Sequence, residues 1–296
     1  MKKSWLPAYL ALGLVWGCSF IFIELGLVFL SPFGVTFVRC ALGAITLLIF
    51  AKARNVELPK GKAIWKKLWV VSMLLNVVPG VLFAFAQQYI TSALAGIINA
   101  TTPLMTLIFM LLIFREEKIK REQVYGLLIG ALGVMTVMGV WKELGGNQLI
   151  GIIALLIAVS CYGASYPYST RNVIPLGLKP EALATGQLLM AAVTLLPLFI
   201  FDGFSSDNYE TKSVIAMLCL GVFGSGFAYI WNFSVTAAAG SAIGSTVTYI
   251  TPVVAVIVGW LYLNEEIVWH EPVGALVVII GALLSQGRLN RWVKSK

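Results

Sequence analysis

Apolar residues come in this chain as blocks of about twenty, separated by short polar breaks, over 5–28, 32–52, 67–89, 93–114, 122–140, 148–169, 181–201, 213–235, 241–263 and 270–288. A helix of about 20 apolar residues crosses a hydrocarbon core of about 30 Å. Backbone groups find no water at that depth, so each block predicts a helix, whose bonds are internal. The pattern predicts an all-α integral membrane protein with ten transmembrane helices.

The blocks repeat. Trp-Gly-Cys-Ser-Phe at 16–20 returns as Tyr-Gly-Ala-Ser-Tyr at 162–166. Ser92, Ala93, Thr102, Pro103, Glu116 and Glu117 find counterparts 149 residues on, in Ser241, Ala242, Thr251, Pro252, Glu265 and Glu266. Gly126 and Gly133 match Gly274 and Gly281 at a spacing of 148. Five spans is an odd number, so the second half is expected to enter the membrane with opposite topology. The chain thus reads as two inverted five-helix repeats, 1–140 and 148–288, followed by a basic cytoplasmic tail at 289–296. Inverted repeats are a recurring plan of secondary transporters.

Composition sharpens this reading. Of the 296 residues 59% are hydrophobic and 11% charged, against about 25% charged in ordinary soluble domains. The net charge of +8 would fit a nucleic-acid partner, but its distribution does not. Ten spans with a cytoplasmic N-terminus place 18 of the 21 Lys and Arg residues inside, Lys142 and Lys212 outside, and Arg39 within a span. That asymmetry is the positive-inside bias. It predicts cytoplasmic termini, an inner-membrane location and no nucleic-acid partner. Met1-Lys2-Lys3 before an apolar run has the outline of a signal peptide. The run lacks a small-x-small cleavage site and carries the repeat partner of the sixth block, so it is read as the first span.

The four cysteines, Cys18, Cys40, Cys161 and Cys219, all fall within blocks and read as packing residues. No HExxH, GxSxG or P-loop motif occurs. Neither an enzyme nor a bound metal or cofactor is expected. Both halves reside in one chain, which predicts a monomer among membrane lipids.

The residues Trp16-Gly17-Cys18-Ser19-Phe20, Ser31-Pro32 and Phe37-Val38-Arg39, with Tyr162 to Tyr166 and Gln187 in the second half, carry a resemblance. Each half also has a proline in the middle of its fourth helix and a Glu just after that helix. The chain resembles the drug/metabolite transporter superfamily, in its ten-helix branch of paired EamA domains. The resemblance implies transport of amino acids, nucleotide sugars, drugs or other small metabolites, often outward. Two departures from the family pattern stand out: Cys18-Ser19 replaces Ser-Asn, and Glu24 sits where many relatives have Lys.

The residues also nominate a site. Asn99, Thr102 and Thr106 fall on one helical face, and Ser241, Ser245 and Thr248 on another, with Tyr249 alongside. Trp16, Phe20, Tyr162, Tyr166, Tyr229 and Trp231 lie at the same levels. Apolar walls with a few placed polar groups are what a small-molecule pocket needs. The expected substrate-binding set is Trp16, Ser19, Phe20, Asn99, Thr102, Tyr162, Tyr166, Trp231, Thr248 and Tyr249. Glu24 and Arg39, the two charges within spans, are expected to pair and to couple or gate transport. Burying either alone costs at least about 2.5–3.5 kcal/mol. With that pair closed, no free charge is expected in the cavity, which disfavours highly charged substrates. Pro103 and Pro252 are expected to bend their helices. Gln87 and Gln88 are expected at the surface, and His270 in a solvated loop. The sum is alternating-access export of a small metabolite, an amino acid in first place. A proton-coupled drug or metabolite exporter and a channel or scramblase are the alternatives.

Overall fold

The computed structural model describes residues 4–114, 120–138, 148–206, 209–254, 257 and 269–285. The connection 141–147, the tail 289–296 and residues Glu116, Glu117, Glu265 and Glu266 lie outside that set. Among the described residues the chain is helical throughout, and the only strand-like pairing is an isolated bridge between Leu30 and Phe204.

The helices are α1 (Leu6–Gly26), α2 (Pro32–Ala53), α3 (Lys62–Ala86), α4 (Ser92–Asn99), α5 (Thr102–Leu112), α6 (Arg121–Met138), α7 (Gln148–Asn172), α8 (Pro180–Asp202), α9 (Thr211–Ala239), α10 (Ser241–Ser245) and α11 (His270–Ser285). Six of them, α1, α2, α3, α7, α8 and α9, are long and apolar enough to cross a membrane. Shorter apolar helices accompany them. α3 starts at Lys62, ahead of the apolar block, because its first turns carry Lys62, Lys66 and Lys67 on an exposed or half-buried face. α2 is started by Ser31, whose Oγ accepts from the Gly34 N–H, with Pro32 in the first turn where its missing N–H costs nothing. The same Ser31 hydroxyl donates to the Asp202 carbonyl, and Ser31 N donates to Gly203 O at 3.1 Å. These bonds clip the α1–α2 turn to the end of α8.

Prolines cause the interruptions. Pro103 has no N–H for the Asn99 carbonyl four residues back, and the helix breaks into α4 and α5 there rather than merely bending. The Thr102 hydroxyl takes the freed carbonyl at 2.6 Å. Pro252 leaves the Thr248 carbonyl free in the same way, and Thr251 Oγ1 donates to it at 2.7 Å. The chain before Pro252 tightens into a 3₁₀ stretch, Thr246–Tyr249. Thr-Pro therefore supplies both the break and its repair at two positions 149 residues apart.

Two other helices widen. α3 has a π-helical segment at Met73–Val77 and α9 one at Leu220–Phe227. In them Val78 N bonds Met73 O and Ala228 N bonds Phe223 O, five residues back instead of four. Pro79 explains the first, since it cannot donate to Leu75 O. The second is rich in glycine: Gly221, Gly224 and Gly226.

Packing follows small residues. α2 runs along α8, and α6 along α11. A Cβ on Gly133 would lie 2.5 Å from the Val278 nitrogen, and one on Gly281 2.4 Å from the Gly130 nitrogen. Only glycine lets these two backbones touch. An apolar core of Leu47, Leu68, Leu75, Leu188 and Phe233 joins α2, α3, α8 and α9, while Phe83, Ile98, Leu155 and Val159 join α3, α4 and α7.

Candidate functional site

The interruptions converge on a cavity at the middle of the helix assembly. Trp16, Ser19 and Phe20 of α1, Arg39 of α2, Leu75 and Phe83 of α3, Asn99 of α4 and Thr102 of α5 line it. Tyr162 and Tyr166 of α7, Tyr229 of α9 and Thr248 of the 3₁₀ stretch, with Ile23 of α1, complete it. The space open to the centre of a water-sized sphere is about 40 Å³, enough for a few waters. A larger ligand must widen it.

The widened helices hold its aromatic walls. A π turn leaves carbonyls without an intrahelical donor. Tyr229 Oη donates to Leu75 O at 3.1 Å, and Trp16 Nε1 donates to Gly224 O at 3.2 Å. Leu75 and Gly224 are 149 residues apart, like the other repeat partners. Trp16 and Tyr229 also meet edge to face, with centroids 5.9 Å apart. Phe83 stacks on Tyr162 at 5.6 Å. Trp16 and Tyr229 are thus fixed by both a polar tip and a ring neighbour, and Phe83 and Tyr162 by their stacking.

Eight of the ten expected binding residues line the cavity: Trp16, Ser19, Phe20, Asn99, Thr102, Tyr162, Tyr166 and Thr248. Two do not. Tyr249 is fully buried away from it, and its hydroxyl donates to Leu127 O of α6 at 2.8 Å. A 3₁₀ stretch turns 120° per residue instead of 100°, so helical spacing misplaces its last residue. Trp231 packs with Tyr9, Val235 and the Phe227 ring. It follows the π segment, which shifts the phase of the face it was counted on.

The charged pair needs a larger correction. Glu24 and Arg39 form no ion pair. Glu24 is exposed and accepts from Ser92 Oγ at the start of α4. Arg39 is 8% exposed, and its Nε donates to Ser225 Oγ at 3.0 Å in the π segment of α9. The two charges sit on different faces of the α1–α2 hairpin, so similar depth did not make them neighbours. A buried cation therefore lines the cavity, contrary to the expectation of a cavity without free charge.

Other residues were misplaced or missed. Gln87 is buried, not interfacial, and its Nε2 donates to Phe20 O at 2.9 Å and Ser92 Oγ at 2.7 Å. His270 is buried at the start of α11 rather than solvated, with the Trp269 ring edge-on to it. Leu75 and Phe83 gave no polar signal, and Ser225 stood in a glycine-rich run. Asn76 and Gln187 are buried, and neither amide atom of either has a hydrogen-bond partner among the described residues. Gln187 stands 148 residues after Arg39, and Asn76 stands 149 before Ser225. The bonded Arg39–Ser225 pair, which crosses the two halves, thus has an unbonded repeat counterpart in Gln187 and Asn76, which crosses them the other way.

Apolar helices long enough to cross a membrane, with a cavity among them, form a frame that a membrane transporter can use, and the comparisons give that class. The EamA-like transporter family matches residues 3–139 and 149–286, and the chain belongs to it. It is 23% identical to the uncharacterized transporter YoaV of Bacillus subtilis, over 94% of this chain and 95% of that one. It is 29% identical to the uncharacterized inner membrane transporter YedA of Escherichia coli, over 85% and 80%. Protein PagO of Salmonella typhimurium is 26% identical over 97% and 94%. A crystal structure covering 96% of this chain and 99% of its own superposes with a TM-score of 0.76 at 18% identity, which shows a shared fold.

Proposed function

We propose that this transporter moves a small metabolite, an amino acid in first place, out of the cell by alternating access. Ten spans in two halves of opposite topology, with both termini cytoplasmic, would let the halves exchange conformations and turn an inward cavity outward. The working unit in this reading is a monomer in lipid.

One observation carries the reading. The cavity takes matched residues from both halves: Trp16 with Tyr162, and Asn99 with Thr248. Each Asn99–Thr102 or Thr248–Thr251 break lies at the same cavity. A site shared in this way responds to movement of either half. Its rings offer an apolar or cation-attracting wall, and its amide can donate and accept.

Counterflow in liposomes tests it. Purified protein should exchange a labelled amino acid for unlabelled substrate trapped inside, at a rate that saturates. Flux that shows no saturation and no exchange stimulation would instead mark a channel. A rate that depends on an imposed pH gradient would assign proton coupling.

A further inference from the structure

We infer that the cavity recognises a carboxylate and that Arg39, assisted by Asn99, is its anchor. The inference rests on the transporter reading above and specifies the ligand of the same cavity.

The cavity has hydrogen-bond donors in excess. Arg39 is buried, and its single hydrogen bond goes from Nε to Ser225 Oγ. Its two Nη groups carry four N–H donors, and none has a partner among the described residues. Among the described residues no Asp or Glu lines the cavity. Glu24, on the neighbouring helix, is engaged by Ser92 and does not reach the guanidinium. The Asn99 amide nitrogen also has no acceptor, because only its Oδ1 is touched, by Thr102 Oγ1 at 3.5 Å. The buried Tyr166 hydroxyl has no partner among the described residues.

A cationic ligand would meet Arg39 charge to charge. A neutral carbonyl would accept one or two hydrogen bonds and leave the buried charge unbalanced. Water fits the space but also leaves the charge. A carboxylate supplies one negative charge and two oxygens, which match the planar edge of a guanidinium two bonds at a time. The Ser225 bond on Nε holds that plane and turns the Nη side free. Trp16, Phe83, Tyr162 and Tyr229 form the wall for the rest of the molecule. The ligand class is a monocarboxylate with an apolar side group. An amino acid is one such molecule, and a simple organic acid is another.

The test uses matched acid and amide pairs on the full-length protein in detergent, in chloride-free buffer. The pairs are L-leucine with L-leucinamide and phenylacetate with phenylacetamide. Binding is read by thermal shift and by the fluorescence of Trp16, with the other tryptophans changed to phenylalanine. The acid of at least one pair should bind about tenfold tighter than its amide, or more, as expected for a charge-assisted pair of bonds. Arg39→Gln should erase that preference by weakening acid binding about tenfold or more, while cationic L-leucinamide binds no more weakly than before. Arg39→Lys keeps the charge, loses the fork and should retain part of the preference. Ser225→Ala, which frees the guanidinium plane, should weaken acid binding only.

Amides that bind as tightly as acids overturn the carboxylate assignment, as does a preference that survives Arg39→Gln. So does tighter binding of phenyl phosphate than of phenylacetate, which would mean a more highly charged ligand. In each of these cases saturable counterflow of a neutral or cationic substrate leaves the transporter reading standing. Failure of both acids and amides to bind, together with no counterflow of any substrate, overturns both. If phenylacetate binds as well as L-leucine, the carboxylate alone is the recognised group, whereas binding of L-leucine only adds a requirement for the ammonium.

Discussion

At the scale of single residues, the cavity depends on backbone oxygens that neighbouring prolines and π turns have released. Trp16 is held by one of them, Gly224 O. Trp16→Phe keeps the ring and removes the donor. It leaves the Gly224 carbonyl unpaired and should lower the transport rate several-fold, with protein in the membrane at normal levels. Asn99→Ala should cut transport further, because it removes an amide from the lining itself. Fluorescence size exclusion on both variants separates lost transport from lost folding, and full rates in both would place the cavity elsewhere. The lining was largely legible in the sequence, since Trp16, Asn99 and Tyr162 announce themselves as polar or amphipathic residues within apolar blocks. Partnerships were not. Arg39 and Glu24 are the two charges in the first hairpin away from its basic end at Lys52, yet each finds a hydroxyl on another helix, Ser225 and Ser92. Nothing local to either residue encodes which distant helix it faces.

At the scale of elements, the Thr-Pro steps make specific claims on stability. Thr102→Val removes the hydroxyl that satisfies Asn99 O and keeps the shape of the side chain. An unsatisfied buried carbonyl costs about 1–3 kcal/mol. The melting temperature in detergent should fall, and Thr251→Val should lower it by a similar amount. The double variant should show the sum of the two losses if the breaks act independently. The contact of α6 with α11 makes another claim. Gly281→Val places atoms where the Gly130 backbone already is, so the two helices must part. A lower melting temperature and poor recovery of folded protein are expected, and a neutral effect would disprove the close packing. Helices and their breaks could be read from apolar blocks and prolines. The π segment of α9 could not, because glycines permit a wide turn without demanding it. Tyr249 and Trp231 were misassigned for this reason: ideal helical spacing was carried through stretches that do not have it.

At the scale of the whole molecule, the two halves are unequal where they are most alike. Arg39 bonds Ser225, while their counterparts Gln187 and Asn76 are both buried and unbonded. Under the alternating access proposed above, that difference would have a use, since the bonded and unbonded pairs would trade roles as the halves exchange shape. Gln187→Leu replaces an orphaned amide by an apolar group of similar size. It should raise the melting temperature, because the desolvation penalty disappears, and slow counterflow, because the alternative bond is lost. A less stable variant would show that Gln187 has a partner in the conformation described here, and an equally fast one that it forms no bond in the alternative conformation.

The π segments have a consequence for how such a chain can change in length. Each closes its hydrogen bonds over one residue more than an α-helix would, so each helix holds one surplus residue without turning its two ends out of phase. Deleting a single codon in the α9 segment, Val222 for example, would let α9 close as an ordinary helix. Its flanks would still face their present neighbours, and the membrane-inserted protein would keep its fold. What would vanish is the loose carbonyl at Gly224 that anchors Trp16. A shortened helix of this kind is a route by which a lineage could discard the substrate while retaining the scaffold, and a later insertion at the same place could supply a different wall.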